Sequence, residues 1–351
     1  MSENRALWLP SPGGTFRVGP APTPEPGPHE VLVRVRAVAL NPTDAGSGLL
    51  RRIALPHLRY PAVLGTDVAG EIAQVGEGVT ALRVGDRVTG YAAGQDCSRN
   101  RAAEGAFQLY SILSAHLCSP IPAELPYEQA AVLPLALMTA SAGLFEPGQL
   151  GLALPGAPPP PSPPVVLVWG GSTSVGGNAI QLARNCGYQV IATASPRNFG
   201  YVESLGAERV FDYHDAAAAS KITDHLRGRP LAGTIDLGQG SLRSTVAIAR
   251  RSTGTRRIAS AFPGARLTPQ GLLARRHGVR VSGIWGTAPL LSPVGTAIFR
   301  DFLPAALRDG RFTAAPAAKI AGQGLQAIPG ALSLVRAGVS AQKIVVSLSE
   351  P

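Results

Sequence analysis

The chain has 351 residues, of which 45% are hydrophobic and 15% are charged. This length exceeds what a single hydrophobic core usually serves, so we expect two domains. The formal net charge is +10, but the arginines are scattered and no aromatic stacking motif accompanies them, which argues against nucleic-acid binding. A basic surface would still attract an acidic protein or an anionic substrate.

Cysteine, hydropathy and the N-terminus define the expected compartment. Cys97, Cys118 and Cys186 are widely spaced, which argues against a disulfide framework and against a structural zinc cluster. No apolar stretch is expected to reach the length of a membrane-spanning helix, and no signal peptide is recognisable at the N-terminus. We therefore expect a cytoplasmic monomer or homodimer that binds no membrane.

Short strands separated by glycine and proline are predicted over the first third of the chain. Residues 31–38 alternate apolar and charged side chains, the pattern of a half-buried strand. Residues 68–75 and 87–91 are predicted to be further strands, with turn residues between them. This region is therefore predicted to be an all-β, barrel-like domain.

The middle of the chain changes character. An apolar helix is predicted over residues 130–144, and a proline-rich segment follows at residues 155–164. Its four consecutive prolines favour an extended, exposed conformation. We interpret this segment as a surface loop that precedes the first strand of a second domain, rather than as a domain linker.

From residue 165 onward the pattern alternates between strand and helix. Residues 165–169 are a continuous apolar run, as expected for a strand buried on both faces of a parallel sheet. The elements predicted after it are strands at 189–194, 209–212, 234–237 and 257–261, and helices at 175–185, 199–205, 216–226 and 241–251. This alternation is typical of a doubly wound α/β fold. The segment from residue 296 is predicted to contain two helices and a final strand at 344–348.

A glycine-rich turn is the strongest local motif. Gly170-Gly171-Ser172-Thr173-Ser174-Val175-Gly176 directly follows the first parallel strand and opens a helix. Glycines let backbone N–H groups approach a pyrophosphate, and the helix N-terminus adds a favourable dipole. The strand–turn–helix context is what this motif requires, so a dinucleotide site is predicted rather than a plain tight turn.

The end of the second parallel strand indicates which dinucleotide binds. NAD sites usually place a carboxylate there to hold the ribose hydroxyls. Here the sequence is Ser195-Pro196-Arg197-Asn198, which offers a hydroxyl, a guanidinium and an amide. These groups suit a 2′-phosphate, so NADPH is the predicted cofactor. The alternative is that Arg197 is only a solvated surface residue.

These motifs resemble a known family. Asn41-Pro42-Thr43-Asp44, residues 60–70 and Gly85-Asp86-Arg87-Val88 are similar to the GroES-like half of the quinone oxidoreductase branch of the medium-chain dehydrogenase/reductase superfamily. Within this branch the chain most resembles the trans-acting enoyl reductases that serve fungal-type polyketide synthases. Those proteins share the proline-bearing insertion, the Gly-Gly-Ser-Thr turn and Phe211-Asp212-Tyr213.

The resemblance implies both the domains and the site. A GroES-like β-barrel catalytic domain would comprise residues 1–132 and 300–351, and a Rossmann NADPH-binding domain, a doubly wound parallel sheet, residues 133–299. The residues implied to line NADPH are Asn41, Thr43, Asp44, Gly46, Thr139, Gly170, Gly171, Ser172, Thr173, Ser174, Val175, Ser195, Pro196, Arg197, Asn198, Tyr213, Ser260, Ala261, Ser340 and Ala341. The residues implied to shape an acyl pocket are Ala140, Gly143, Leu144, Gly283, Ile284, Trp285 and Gly286. Taken alone, Thr139 also suits a helix cap, Tyr213 a core position and Trp285 simple packing.

Zinc is not expected. Zinc-dependent relatives bind the metal with a Cys, a His-Glu pair and a further Cys or Asp. The matching positions here, Thr43 and Gly65-Thr66-Asp67, contain neither His nor Cys, and the six histidines show no shared ligand spacing. Without a Lewis acid, alcohol–ketone interconversion loses its usual electrophile, which favours reduction of an activated C=C bond.

The chain departs from the family pattern at Gly46. Related reductases often have a lysine just after the Asn-Pro-x-Asp motif, near the nicotinamide. Either Thr139, Tyr60, Asp44 or a water polarises and protonates the substrate instead, or redox activity is weakened or lost. The alternative is that Gly46 serves a turn with a positive φ angle.

The leading hypothesis is zinc-independent, NADPH-dependent reduction of an α,β-unsaturated carbonyl. The substrate would be a polyketide-type acyl thioester, with an acyl carrier protein as a candidate partner. One alternative is a quinone or small-enone oxidoreductase. Another is a redox-inactive NADP-binding cyclase or partner subunit, which Gly46 keeps open.

Overall fold

The computed structural model describes residues 3–158, 162–262, 264 and 268–348. The chain forms two compact units: Met1–Leu135, Phe299–Gly310 and Ala314–Pro351 in the first, and Ala136–Ile298 and Arg311–Thr313 in the second. We name them the β-rich unit and the parallel-sheet unit. Part of the predicted extended proline run, Pro159 to Pro161, lies outside the described residues.

Sixteen strands are found in the described part of the chain. They are β1 (Arg5–Leu9), β2 (Arg17–Pro20), β3 (Glu30–Ala39), β4 (Ala62–Val63), β5 (Asp67–Val75), β6 (Arg87–Tyr91), β7 (Tyr110–Ser114), β8 (Cys118–Pro120), β9 (Val165–Trp169), β10 (Gln189–Ala194), β11 (Arg209–Asp212), β12 (Leu231–Asp236), β13 (Arg257–Ser260), β14 (Arg280–Gly283), β15 (Ala317–Gln323) and β16 (Gln342–Ser347). The α-helices described with them are α1 (Gly48–Ala54), α2 (Tyr127–Ala130), α3 (Pro134–Phe145), α4 (Ser174–Asn185), α5 (Phe199–Ser204), α6 (Ala218–His225), α7 (Leu242–Arg251), α8 (Pro269–Arg276), α9 (Pro293–Thr296), α10 (Leu303–Arg308) and α11 (Ile328–Ala337). A π-helical segment, Ala297–Phe302, precedes α10.

Two sheets build the β-rich unit. The larger has the order β15-β16-β3-β5-β6-β8, with β7 paired to β3, and the smaller has the order β2-β1-β4. The predicted strands at 31–38, 68–75 and 87–91 are confirmed as β3, β5 and β6. In β3 the alternating side chains of Val31, Val33 and Val35 enter the core, because successive residues of a strand face opposite sides.

The C-terminal segment completes the β-rich unit. Strand β16 pairs antiparallel with β3 and parallel with β15, and Ile344 and Val346 enter the same core as β3. The predicted final strand at 344–348 is therefore confirmed as β16. Strand β15 was not predicted, because Ala317–Gln323 is largely exposed and lacks the apolar alternation of a half-buried strand.

The parallel-sheet unit contains six parallel strands in the order β11-β10-β9-β12-β13-β14. In this doubly wound arrangement the order in which strands are added to the sheet reverses between β9 and β12, so that a crevice opens at the carboxyl ends of those strands. All five residues of β9 are buried, as its apolar run predicts. Strand β14 was not predicted.

The predicted helix at 130–144 is wrong at its start. Helix α2 ends at Ala130 and α3 begins at Pro134, because proline has no N–H to continue a helix and its fixed φ suits a first turn. The Oδ1 atom of Asp67 accepts the N–H of Leu135 at 2.5 Å and caps the new helix. The carboxylate thus supplies an acceptor that the preceding turn lacks.

One stretch of the described residues contradicts the expectation about apolar length. Tyr127–Phe145 has the length and mean hydropathy, 1.3, of a membrane-spanning helix. However, 78% of the 18-residue window with this hydropathy is buried inside the protein, as in the core helices of many proteins. Such a stretch is weak evidence for a membrane span.

Candidate active site

The glycine-rich turn is built so that only glycine closes it. A Cβ atom on Gly176 would lie 2.2 Å from the carbonyl oxygen of Gly170, and Gly170 has a φ of 97°. Thr173 caps α4 by accepting the N–H of Gly176 at 2.9 Å. Further N–H groups of the first turn have no acceptor within the helix, so this end suits a phosphate group. The geometry fits the pyrophosphate of a dinucleotide.

The carboxyl ends of five neighbouring strands lie in one row of the sheet. The residues paired along this row are Thr193, Trp169, Asp236, Ser260 and Gly283. The predicted cofactor and substrate residues that follow these positions in the sequence therefore begin at the same edge. They are Gly170, Ser195, Ala261 and Ile284.

The turn after β10 presents the groups predicted for a 2′-phosphate. Arg197 is exposed, and Asn198 is buried and donates from Nδ2 to the Ser195 hydroxyl at 3.2 Å. The carboxylate of Asp212 stands at the end of the neighbouring strand, where its Oδ1 accepts the backbone N–H of His214 at 2.9 Å. Arg197 is thus an exposed residue of the turn that follows β10.

The purely structural interpretations of Tyr213 as a core residue and of Trp285 as a packing residue are wrong. Tyr213 is 44% exposed, so it is not a core residue, and its ring lies 4.1 Å from that of His214 between centroids. Trp285 is 57% exposed, so it does not simply pack in the interior. Both side chains are available to a ligand.

Asp236 is a buried residue of this edge that the sequence analysis missed. The Ser241 and Ser260 hydroxyls donate to its carboxylate. Desolvation by burial outweighs these hydrogen bonds and raises the pKa of Asp236 to about 6. An acidic residue at the carboxyl end of a predicted parallel strand was the signal available in the sequence.

Some of the predicted acyl-pocket residues lie close together inside the parallel-sheet unit. A Cβ atom on Gly286 would lie 2.9 Å from the Thr139 hydroxyl oxygen, and one on Gly143 would lie 2.9 Å from Ile284 Cδ1. Glycine at both positions lets α3 and the segment after β14 approach closely. Of the remaining pocket residues, Ala140 and Leu144 are fully buried.

In the β-rich unit, the loop after β3 is held by Asp44. The side chain is 0% exposed, and its two oxygens accept the N–H of Asn41 at 2.9 Å and Gln95 Nε2 at 3.2 Å. Desolvation raises the pKa of Asp44 to about 6. Thr43 next to it is exposed. We infer that Asp44 positions the loop, since no part of its side chain reaches the surface.

Gly46 does not occupy a left-handed turn. Its φ angle is not positive. A Cβ atom there would lie 3.6 Å from the Thr43 carbonyl oxygen and 4.0 Å from Leu50 Cβ. These are ordinary van der Waals distances. The alternative that Gly46 serves a positive-φ turn is therefore wrong, and the position has room for a Cβ atom.

Tyr60 carries a buried hydroxyl that has no hydrogen-bond partner among the described residues. Burial raises the pKa of this phenol, so it is protonated and able to donate at neutral pH.

Ser340 and Ala341 lie just before β16, Ser340 exposed and Ala341 with a φ of 50°.

Gly65-Thr66-Asp67 matches the segment that binds zinc in metal-dependent relatives. Hydrogen-bonded side chains surround it here. Asn41 Nδ2 donates to the Thr66 hydroxyl at 3.2 Å and to Asp67 Oδ2 at 2.8 Å, so Asn41 rather than Thr43 faces this segment. Lys343 Nζ lies 2.5 Å from Asp67 Oδ2 and also donates to the Val132 carbonyl at 3.1 Å. Over the described ranges, no group of three His, Cys, Asp or Glu side chains is placed to hold a metal ion. Lys343 was not among the site residues predicted from the sequence.

Comparisons with known proteins agree with this architecture. Residues 27–123 match the alcohol dehydrogenase GroES-like domain. The chain is 43% identical over 369 residues to dehydrogenase pigH of Monascus ruber, covering 99% of this chain and 100% of the relative. It is 37% identical over 350 residues to trans-enoyl reductase himH of Aspergillus japonicus, covering 99% and 98%. A solved alcohol dehydrogenase superfamily protein from Novosphingobium aromaticivorans superposes with a TM-score of 0.76 at 26% identity, covering 99% and 100%.

These findings confirm the predicted fold class, a GroES-like domain together with a doubly wound parallel sheet. They also support a nicotinamide cofactor, since the glycine-rich turn follows β9, at the point where the strand order reverses and dinucleotides bind. The relatives span the full chain, so the assignment covers both units. The chain therefore belongs to the medium-chain dehydrogenase/reductase superfamily, in the branch of the quinone oxidoreductases and trans-acting enoyl reductases, and is an oxidoreductase.

Proposed function

We propose that this protein reduces α,β-unsaturated acyl thioesters with NADPH and without zinc. The observation that carries the proposal is the donor set around Asp67. Its carboxylate is already paired with the buried ammonium of Lys343, and it also accepts the side-chain amide of Asn41 and the backbone N–H of Leu135. A fixed positive charge at 2.5 Å from the one carboxylate of this set opposes a divalent cation.

The cofactor would be bound by groups of the parallel-sheet edge. The turn at Gly170 to Val175 would hold the pyrophosphate, and Ser195 and Arg197 would hold the 2′-phosphate. When bound, NADPH supplies the hydride that reduces the C=C bond. The exposed Tyr213 and the backbone around Ser260 and Ala261 complete this side of the proposed site.

The chain itself must stabilise the negative charge that develops on the thioester oxygen and deliver a proton to Cα. We assign the first role to the hydroxyl of Thr139, the polar side chain that Gly286 approaches within the predicted acyl pocket. The unpaired hydroxyl of Tyr60 is the second candidate donor. Asp44 acts by positioning its loop. The name of the himH relative, a trans-enoyl reductase, supports the reaction class.

The proposal is tested by measuring NADPH oxidation with three acceptors, using protein treated with a strong chelator. We expect turnover with crotonyl and cinnamoyl thioesters, slower turnover with quinones and none without an acceptor. Faster quinone reduction would favour the oxidoreductase alternative. Tight NADPH binding without turnover would favour the redox-inactive alternative, and activity restored only by zinc would refute the metal-free site. Cytoplasmic location and an acyl carrier protein partner remain part of the proposal.

Replacing Gly46 with lysine is expected to raise turnover about tenfold on simple enoyl thioesters, and to change the affinity for the thioester much less. A cation there would act on the developing enolate, and the backbone conformation and the space at Cβ are compatible with a non-glycine residue. The matched control is Gly46→Ala, which adds only the Cβ atom. Steady-state kinetics and a melting curve on both variants check this. An unchanged melting curve with no gain in rate would contradict the missing-cation account.

A further inference from the structure

Helix α1 turns its apolar residues outward. Of its seven residues, the buried one is Arg51, whereas Leu49, Leu50 and Ile53 are 70%, 60% and 70% exposed. A surface helix normally directs its apolar side chains to the core and its charged ones to water. Contiguous exposed apolar side chains of this kind usually mark a surface that another molecule covers.

The inverted orientation is fixed by hydrogen bonds. The guanidinium of Arg51 donates to the carbonyl oxygens of Pro12 at 2.7 Å, Gly46 at 2.8 Å and Asp44 at 3.3 Å. Ser47 caps the helix by accepting the N–H of Leu50 at 3.3 Å. A helix of seven residues is not stable alone, so these bonds hold it in place with its apolar face outward.

The surroundings of this face are basic. Residues 45–66 contain no Asp or Glu, and Arg52 and Arg59 among them are exposed. The acidic residues that bracket the segment, Asp44 and Asp67, are fully buried. A further exposed arginine, Arg336, donates to the Ala45 carbonyl at 3.3 Å. An apolar face on a helix that carries Arg52, next to Arg336, is complementary to an apolar surface flanked by acidic residues.

The face adjoins the loop that carries Gly46, where we expect a substituted lysine to act on the developing enolate. The Cβ atom of Leu50 is 4.0 Å from the position a Cβ atom would take on Gly46. A substrate held as a thioester on another protein must be delivered by a protein that docks within reach of the reacting groups. A docking surface is therefore expected beside this loop.

We propose that α1, with Arg52 and Arg59, is the docking surface for an acidic carrier protein that delivers the acyl thioester, an inference that rests on the proposed function. Three apolar side chains are far fewer than a stable interface of about 800 Å² per partner requires, which suits a partner that must leave after each turnover. A second copy of the chain is a poorer occupant. A symmetric contact would oppose the same arginines on both sides.

The test compares two substrates with the same acyl group. One is a crotonyl thioester on an acidic carrier protein, and the other is crotonyl N-acetylcysteamine, which has no protein part. The Leu49→Glu/Ile53→Glu variant is expected to lose about tenfold or more in kcat/KM with the first and to stay within about twofold with the second. Arg52→Glu is expected to slow association and weaken its salt dependence. The matched control is Ile320→Glu, which changes a 60% exposed isoleucine on β15.

A direct binding measurement distinguishes failure of the docking surface from failure of the proposed reductase function. Calorimetric titration with the unacylated carrier protein measures docking without turnover, so a lack of activity on both substrates would refute the proposed function and leave the docking result intact. Equal losses on both substrates would show that α1 contacts the acyl chain, and no loss on either would refute the docking surface. Dissociation of a wild-type dimer in the double variant, or binding to anionic vesicles instead of the carrier protein, would also overturn it.

Discussion

Replacing Lys343 with methionine is expected to lower the free energy of unfolding of the β-rich unit by about 3–5 kcal/mol. Asp67 and Lys343 are both almost fully buried, with Nζ and Oδ2 2.5 Å apart. Methionine keeps the length of the side chain but removes the charge, so the Asp67 carboxylate is left unneutralised in the interior. The Val132 carbonyl also loses its donor.

Calorimetric melting checks this result, and a loss of this size lowers the melting temperature of a unit of this length by on the order of 10 °C. Lys319→Met, which makes the same change at an exposed position on the neighbouring strand β15, is expected to have little effect. Adding Asp67→Asn to Lys343→Met removes both charges and is expected to restore most of the stability. A double variant no more stable than the single one would show that packing, rather than charge, is responsible.

Replacing Arg197 with alanine is expected to weaken NADPH binding by about 1.5–3 kcal/mol, or about 10- to 100-fold in Kd, and to leave NADH binding unchanged. The guanidinium is exposed in the turn after β10, beside Ser195 and Asn198. A charge-assisted contact to a phosphate is available only with the 2′-phosphorylated cofactor. The wild-type protein is accordingly expected to bind NADPH more tightly than NADH.

Titration calorimetry with both cofactors measures this preference. The matched control is Arg227→Ala, which removes an exposed arginine of the same unit that pairs with Asp224 at 2.7 Å. Its expected effect on either cofactor is small, because surface ion pairs contribute little. Equal dissociation constants for NADPH and NADH in the wild-type protein would refute the assignment of the phosphate to Arg197.

The parallel-sheet unit was predictable from sequence because its signals are local. The apolar run of β9, the turn glycines and the helix that follows lie within a short stretch, and their predicted bounds agree with the structure to within one residue. The edge strand β14 and the exposed strand β15 carry no comparable pattern, because residues that are only partly buried are under weaker constraint.

The sequence by itself determined the two-domain fold, the glycine-rich turn and the absence of a carboxylate after β10, since each depends on neighbouring residues. Only the tertiary structure decided which side chains are buried. It pairs Lys343 with the distant Asp67, and it places Arg51 inside and Leu49 outside, the reverse of what residue type alone predicts. The physical reason is that burial depends on the hydrogen-bond acceptors and charges that remote segments bring together, and these have no local signature in the sequence.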